Sequence, residues 1–478
     1  MVFCGRSSKG CSNCRARRIK CDQVEPSCSQ FLRANKTCPG YRDQLALLFR
    51  EQSEEVARKV YRQRASCSRK ANGATPVHEP LLNAPYLTNP SLEEEGIKFL
   101  LEHYLIIPSL LRWTHLMLID AMTCVGLAGL SNGKSDAQLM IFARQKYVSA
   151  LRMTISSIQN STIRAVILLG MFESVTCDTS SMDSWARHFD GAAAILKVRD
   201  VSGSLRIDGA INILLIWFQI ATGYIQRRRH LPVEMIEYPE WCREYLSELE
   251  QPVCSLAGIV TKFTALWASV GHRMPASSNN IIRSALDLES DLKNWAMDIP
   301  EGWVFNIAPL SGEVDDFAGN AEHAYPNAFI ANAWSWYRTV RIVVNDLLVQ
   351  HLSTCTYNDV DCSGRLSESR SILSDLSTEI CSSASYFLKR FDILRDTSRF
   401  YIHGAFSLLW ALKVVGTSSG SSETLYLWVV HTLQNIWQSL GIRIALEMAN
   451  RMTQNRQHIF FAIQQQQLAQ SVSIRPSM

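Results

Sequence analysis

The amino-acid sequence predicts a mostly α-helical protein with a small cysteine-rich N-terminal module, a flexible linker and a large all-α domain. Three observations support this prediction. The first 67 of the 478 residues contain seven of the 14 cysteines. Residues 66–90 are rich in Ser, Asn, Gly and Pro, as flexible linkers are. Beyond residue 90, apolar residues recur with helical spacing, and the alternation typical of strands is scarce.

Charge is distributed unevenly along the chain. Residues 1–70 contain 16 Lys/Arg and 6 Asp/Glu, a net charge of +10, whereas the remainder contains 32 Lys/Arg and 38 Asp/Glu, a net charge of −6. This asymmetry predicts a polyanionic partner for the N-terminal segment alone. With 47% hydrophobic and 19% charged residues, the chain as a whole has ordinary globular composition.

The N-terminus is polar and basic, without the apolar region of a secretory signal. The most apolar segment, residues 209–225, is shorter than the roughly 20 residues of a membrane span, and it contains Asn212 and Gln219. We expect a buried core helix there, with the basic cluster Arg227–Arg229 at its C-terminal end. The sequence therefore predicts an intracellular protein with reduced thiols and no membrane partner.

Closely spaced cysteines near the N-terminus form the most informative pattern. Such cysteines form either disulfides or a metal site, and in an intracellular chain they more often bind metal. Zinc takes tetrahedral sets of thiolates, and a module without a hydrophobic core must obtain its folding energy from metal bonds. The candidate ligands are Cys11, Cys14, Cys21, Cys28 and Cys38.

Four cations lie between the second and third of these cysteines: Arg15, Arg17, Arg18 and Lys20. We expect them on a short helix that the first cysteine pair opens. Arginine suits bidentate reading of guanine in the major groove, and other cations suit phosphate contacts. A solvated basic face and a nuclear localisation signal are alternative interpretations of the same run.

The cysteine order resembles the fungal Zn(2)-Cys(6) binuclear zinc cluster family of transcription factors, in which six cysteines hold two zinc ions. Two tetrahedral ions need eight bonds, so two of the six thiolates bridge both ions. By position, the resemblance implies that one zinc binds Cys11, Cys14, Cys21 and Cys28. It implies a second zinc held by residue 31, Cys38 and the two bridging ligands Cys11 and Cys28.

The chain departs from the family pattern at the fifth ligand position, which holds Phe31. Phenylalanine cannot bind zinc, so the first site is complete and the second lacks one ligand. Water could fill that position, Cys4 could reach it, or the second ion could be absent. A sequence error or a decayed allele is a fourth interpretation, since one base change converts Cys to Phe. We hypothesise one tight zinc ion and a second that is weak or absent.

The resemblance also implies a function. Family members place a short helix in the major groove and read CGG-like triplets through the basic residues before the third cysteine, here Arg17 and Arg18. The chain is thus expected to be a nuclear, zinc-dependent, sequence-specific DNA-binding regulator of RNA polymerase II genes, such as a metabolic or secondary-metabolite set. Double-stranded DNA with CGG-like half-sites, a second copy of the chain and the transcription machinery are the implied partners.

Residues 39–90 are expected to connect this module to the body. Residues 43–65 have the apolar spacing of one helix face, with basic residues toward the end. The heptad pattern fails at Gln52, so a stable coiled coil is not predicted. A basic helix along DNA and a solvated helix both remain open, and residues 66–90 follow as a flexible linker.

The large all-helical domain is predicted over residues 91–470, beginning with a capping box between Ser91 and Glu94. Ser135 is the predicted cap of a helix whose apolar face includes Leu139 and Leu151. Further helices are predicted at 163–175, 185–195, 255–272, 277–296, 322–351, 367–393, 400–416 and 424–465.

Residues 125–199 of this domain resemble the fungal-specific regulatory domain of the same family. The resemblance rests on Gly126-Leu127-Ala128-Gly129, on residues 143–151, and on Trp185-x2-His188-x2-Gly191-Ala192 followed by Arg199. Trp185 and His188 share a helix face, where packing is favoured over an effector site. The glutamines at 464–467 are a weak candidate for an activation element.

From the sequence we expect no P-loop, no G-x-G-x-x-G after a strand, no H-E-x-x-H and no G-x-S-x-G, and no enzyme is expected. Two functions therefore compete. One is the DNA-binding regulator described above. The other is a degenerate interaction protein that does not bind DNA, because Phe31 damages the module, and that acts through partner regulators.

Overall fold

In the computed structural model, the chain divides into two units, Met1–Thr88 and Asn89–Met478. Of the first unit, the structure describes residues 11, 14, 17, 19, 21–22 and 28–30. Of the second, it describes residues 91–106, 116–156, 160–177, 190, 193, 207–270, 277–309, 321–353, 360–388, 401–402 and 404–456. Most of these residues are helical, which confirms the predicted mostly α fold class.

Helices of the second unit are numbered in chain order over the described residues. The first six are α1 (Leu92–His103), α2 (Leu116–Lys134), α3 (Ala137–Ser156), α4 (Asn160–Thr176), α5 (Ile207–Gln226) and α6 (Val233–Arg243). The following six are α7 (Pro252–Val270), α8 (Ser278–Met297), α9 (Ala328–Leu352), α10 (Val360–Leu388), α11 (Ala405–Thr417) and α12 (Glu423–Leu440). Residues 443–456 are also helical, and Glu301–Trp303 form a 3-10 turn.

Two small antiparallel sheets connect distant parts of this unit. Strand β1 (Leu105–Ile106) pairs with β4 (Tyr401–Ile402). Strand β2 (Asn306–Pro309) pairs with β3 (Ala321–Ala324), with Asn306 opposite Ala324. The strands are short, and the helices supply most of the buried surface.

Helix starts show where local sequence signals are reliable. The predicted capping box is confirmed: the Ser91 hydroxyl accepts the N–H of Glu94 at 3.2 Å, and the Glu94 carboxylate accepts the N–H of Ser91 at 2.9 Å. The prediction for Ser135 is wrong, because Ser135 has a φ of 54° and precedes the cap. Asp136 is the cap, and its carboxylate accepts the N–H of Gln138 at 2.8 Å.

Several predicted helices have different bounds in the structure. The helix predicted from residue 367 begins earlier, at Val360. The helix predicted from residue 322 begins at Ala328, after strand β3 and the cap Asn327. The helix predicted from residue 400 begins at Ala405, because strand β4 and Gly404, with a φ of 81°, precede it. The helix predicted over 424–465 stops at Leu440, where Gly441 adopts a left-handed φ of 69°.

Helices α1 and α2 cross in backbone contact. A Cβ added to Gly126 would lie 1.7 Å from the carbonyl oxygen of Gly96, and one added to Gly129 would lie 2.0 Å from the Tyr104 hydroxyl. That hydroxyl is buried and donates a short hydrogen bond to the carbonyl of Leu440. The glycines of the Gly-Leu-Ala-Gly sequence therefore set how closely three helices approach.

Asn132, near the end of α2, connects two further chain segments. Its side-chain amide donates to the carbonyl of Val175 at 2.8 Å and to the carbonyl of Gly441 at 2.7 Å. The two bonds attach the ends of α4 and α12 to α2.

Two helices of the described residues, α2 and α7, have the length and hydropathy of a membrane span, a property that core helices share. Within the fold, 72% of the apolar window of α2 and 44% of that of α7 are buried. The predicted core helix at 209–225 is confirmed as α5, in which Trp217 is fully buried. The indole N–H of Trp217 donates to the carbonyl of Met235 at 2.7 Å.

Most of the cysteines that the structure describes in the second unit are buried. Desolvation by burial raises the pKa of Cys381 to about 12 and that of Cys254 to about 11. Both thiols are therefore protonated at neutral pH and pack as small apolar groups.

We expect Gly126→Ala to lower the free energy of unfolding by about 3 kcal/mol, because the new methyl group meets backbone and the two helices must move apart. The matched control is Gly133→Ala in the same helix, where nothing lies within 4 Å of an added Cβ. This control should raise the free energy of unfolding by about 1 kcal/mol through helix propensity. Urea denaturation followed by circular dichroism checks both, and equal effects would contradict the crossing.

Candidate metal centre

Four cysteine sulfur atoms of the first unit lie around one point. The Sγ atoms of Cys11, Cys14, Cys21 and Cys28 all lie within 4.8 Å of one another. Cys28 Sγ lies 4.0 Å from Cys11 Sγ and 3.8 Å from Cys14 Sγ. A tetrahedral zinc ion with 2.3 Å bonds to sulfur holds its ligands about 3.8 Å apart. The four sulfur positions therefore fit one tetrahedral zinc ion.

These distances distinguish between a disulfide and a metal site, the two alternatives that the cysteine spacing left open. A disulfide requires sulfur atoms about 2.05 Å apart, whereas Cys28 Sγ lies 4.0 Å from Cys11 Sγ and 3.8 Å from Cys14 Sγ. The geometry favours the metal site over a disulfide among these four residues.

The first cysteine pair is held by its own turn. Cys14 is helical, and its backbone N–H donates to Cys11 Sγ at 3.5 Å. The N–H of Ile19 donates to the carbonyl of Cys14 at 3.0 Å, which closes the following loop. An N–H donor directed at sulfur favours the thiolate form that zinc binds.

Burial explains why a cation belongs at this position. Cys11, Cys14 and Cys28 are at most 1% exposed, whereas Cys21 is partly exposed. Desolvation, followed by hydrogen bonds with the neighbouring thiols, raises the pKa of Cys14 well above its usual value. Without a cation the Cys14 thiol therefore keeps its proton, and a bound zinc ion would replace that proton.

Arg17 is the predicted DNA-binding residue that the structure describes, and it lies exposed in the turn after Cys14. Ile19, two residues later, is 44% exposed. The other predicted site residues of this unit lie outside the described residues: Arg15, Arg18, Lys20, Phe31 and Cys38. Phe31 and Cys38 belong to the second zinc site, which stays a prediction.

Several other predictions concern parts of the chain that the structure does not describe. These are the helix at 43–65, the linker at 66–90, the glutamines at 464–467, and Trp185, His188, Gly191, Ala192 and Arg199.

The basic cluster at the end of α5 makes contacts within the second unit. Arg227 forms a bidentate pair with Asp190, with both N–O distances at 2.8 Å. The guanidinium of Arg228 lies 4.4 Å from the ring centroid of Trp267, and Arg228 has a φ of 49° where the helix ends. These contacts support the helix-end interpretation of the cluster over a second DNA site.

The prediction that no G-x-S-x-G is present is wrong, because residues 416–420 read Gly-Thr-Ser-Ser-Gly and match this pattern of serine hydrolases. That chemistry requires a strand-to-helix turn that exposes the serine. Here Ser418 instead follows the end of helix α11 and is buried. Its hydroxyl donates to Asp346 Oδ1 at 3.1 Å, and the N–H of Ser419 donates to the same oxygen at 2.9 Å. The motif is a helix end and not a nucleophile.

Two arrangements were not predicted from the sequence. In the first unit, the Asp22 carboxylate accepts the backbone N–H of Ser29. In the second, fully buried Arg338 donates to Glu379 at 2.6 Å and to the Tyr325 hydroxyl at 2.7 Å. The partners lie seven residues apart in the first arrangement and 13 and 41 residues apart in the second, so helical or strand spacing gives no signal for either.

Comparisons with known proteins agree with this geometry. Residues 9–46 match the family model described as "Fungal Zn(2)-Cys(6) binuclear cluster domain". The chain is also similar to "White-opaque regulator 2" of Candida albicans, at 40% identity over 52 residues, which cover 11% of this chain and 12% of that protein. No solved structure matches the chain. The family match ends before the second unit begins, so the regulatory-domain resemblance stays a prediction.

We expect Cys14→Ala to remove about one equivalent of zinc from the purified full-length protein, because three thiolates no longer close a tetrahedron. Elemental analysis of zinc per chain is the measurement. Cys362→Ala, which removes a partly exposed thiol of the second unit, is the matched control and should leave the zinc content unchanged. Equal zinc content in wild type and Cys14→Ala would contradict the site.

Proposed function

We propose that this protein is a zinc-dependent, sequence-specific DNA-binding regulator of transcription by RNA polymerase II that acts in the nucleus. The observation that carries the proposal is the tetrahedral arrangement of four sulfur atoms inside the segment that matches the zinc cluster family. The printed name of the similar Candida albicans protein, a regulator, agrees with this direction. A metabolic or secondary-metabolite gene set is the proposed kind of target, by resemblance alone.

One zinc ion is proposed to bind tightly at Cys11, Cys14, Cys21 and Cys28, where the four sulfur positions support it. A second ion would take Cys11, Cys28 and Cys38, and its fourth position falls on Phe31. With three thiolates, this ion is weak or absent. Zinc here would draw the two halves of the module together, because the described residues bury sulfur and not a larger apolar cluster.

DNA contact is assigned to the basic segment after Cys14. Arg17 is exposed in the turn that the metal site holds, so its guanidinium is free to reach a groove. Arg17 and Arg18 would read the bases of a CGG-like half-site, and Arg15 and Lys20 would contact phosphates. The net charge of +10 over residues 1–70 supports an affinity that falls with salt.

We propose three regions of the chain with different roles. Residues 11–38 form the DNA-binding module, residues 39–90 a basic helix and flexible linker, and residues 91–470 the regulatory domain. The confirmed capping box at Ser91 and the division of the chain between residues 88 and 89 support the start of the last domain. A homodimer and the transcription machinery are the proposed partners, and neither catalysis nor membrane binding is part of the proposal.

Phe31 favours a second candidate function, a protein that binds partner regulators and not DNA. In the resembled family the second ion helps to position the first half of the module. A chain without that ion would hold Arg17 less firmly, and the helical unit alone would then carry the interaction.

Replacing Arg17 with Ala should weaken binding of the full-length protein to a CGG probe by about tenfold, since a bidentate arginine–guanine pair contributes about 1–3 kcal/mol. Electrophoretic mobility shifts at fixed salt give the affinity. Arg229→Ala removes the same charge from an exposed position of the second unit and should leave the affinity unchanged. If both variants bind like wild type, base reading by Arg17 is wrong.

Phe31→Cys should raise the zinc content from about one to about two ions per chain, because it restores six thiolates. Zinc analysis and a mobility shift with the same probe are measured on both proteins. Binding of CGG by wild type and by Phe31→Cys supports the regulator. Binding by Phe31→Cys alone supports the interaction protein, and two tightly held zinc ions in wild type would contradict the weak second site.

A further inference from the structure

The two cysteine pairs of the zinc site are held by different means. Cys11 and Cys14 belong to one turn, in which the Cys14 N–H donates to Cys11 Sγ at 3.5 Å. Cys21 and Cys28 are seven positions apart and belong to different segments. Bringing Cys21 and Cys28 together closes a loop and costs conformational entropy. The turn that contains Cys11 and Cys14 does not offset this cost.

A hydrogen bond closes that loop beside the sulfur atoms. Both carboxylate oxygens of Asp22 accept the backbone N–H of Ser29 at 3.1 Å. Asp22 follows Cys21 directly, and Ser29 follows Cys28 directly. The metal site would join residues 21 and 28, and the carboxylate bond joins residues 22 and 29. Both links therefore span the same seven-residue separation.

The acceptor is also suited to its donor. Ser29 and Gln30 are helical, so the Ser29 N–H is one of the unpaired N–H groups at the start of a helical turn. A carboxylate at this position gains from the partial positive charge of the helix start, as a capping side chain does. Asp22, which lies seven residues before Ser29, thus caps the helical turn that begins directly after Cys28.

We propose that Asp22 is a positioning residue for Cys28, which holds the loop closed so that the fourth thiolate meets the zinc ion at low entropic cost. Asp22 does not touch the metal in this assignment and acts through the backbone of Ser29. Residues that orient metal ligands commonly change metal affinity by about 10- to 100-fold when replaced. The proposal rests on the zinc site of the proposed function, but not on DNA binding.

The test uses full-length protein loaded with one equivalent of zinc and titrated against a chromogenic chelator. Asp22→Ala should lower zinc affinity by about tenfold and speed zinc release. Asp22→Asn, which keeps one acceptor oxygen, should lie between Asp22→Ala and wild type. Glu25→Ala removes a carboxylate from the same loop and should leave affinity unchanged. Cobalt-loaded Asp22→Ala should keep the four-thiolate absorption spectrum at saturation.

Four outcomes would overturn the proposal. Wild-type affinity in Asp22→Ala excludes positioning, and an equal loss in Glu25→Ala shows that only charge matters. A cobalt spectrum that changes at saturation in Asp22→Ala would make Asp22 a ligand. If wild type binds zinc with the expected Asp22 dependence but binds no CGG probe, the regulator fails while the positioning role stands. A wild-type chain that holds no zinc overturns both.

Discussion

Four cysteine sulfur atoms within 4.8 Å of one another, three of them on buried residues, are the main constraint on the described part of the first unit. Thiolates at such distances would repel one another and lose hydration, so deprotonation of the cluster would require a compensating cation. The described residues of this unit bury the cysteine sulfurs and not a larger apolar cluster. Among the described residues, local hydrogen bonds hold the turn that exposes Arg17, and metal bonds would supply the stability that a hydrophobic core supplies elsewhere.

The second unit obtains its stability in a different way. Its helices share one extensive apolar core, and backbone contact at Gly96 and Gly126 sets the closest approach of two of them. Ion pairs also connect its helices, as in the contact of partly buried Arg341 with Glu289 between α9 and α8. The two units thus differ in what stabilises them. The second unit depends on apolar packing, and the first would depend on metal coordination.

Sequence reasoning succeeded where the determining contacts are local. The capping box of Ser91 and the zinc-site cysteines follow from spacing, because the partners lie within a few residues or within a known ligand pattern. It failed at Ser135 and at Gly441, where backbone φ decided the helix ends. The Asp22 bond and the buried Arg338 network depend on which segments meet in space, and no periodicity encodes that.

The side chain of Asn132 has a consequence for the order of events during synthesis. It bonds to the carbonyl of Gly441, which is 309 residues further along the chain. During translation, α2 emerges from the ribosome long before Gly441 is synthesised. The Asn132 amide is therefore bonded to water until Gly441 is available. The cysteine module at the N-terminus needs no such partner and can acquire its metal early. In a nascent chain, the cysteine module would therefore be able to fold before the second unit completes its packing.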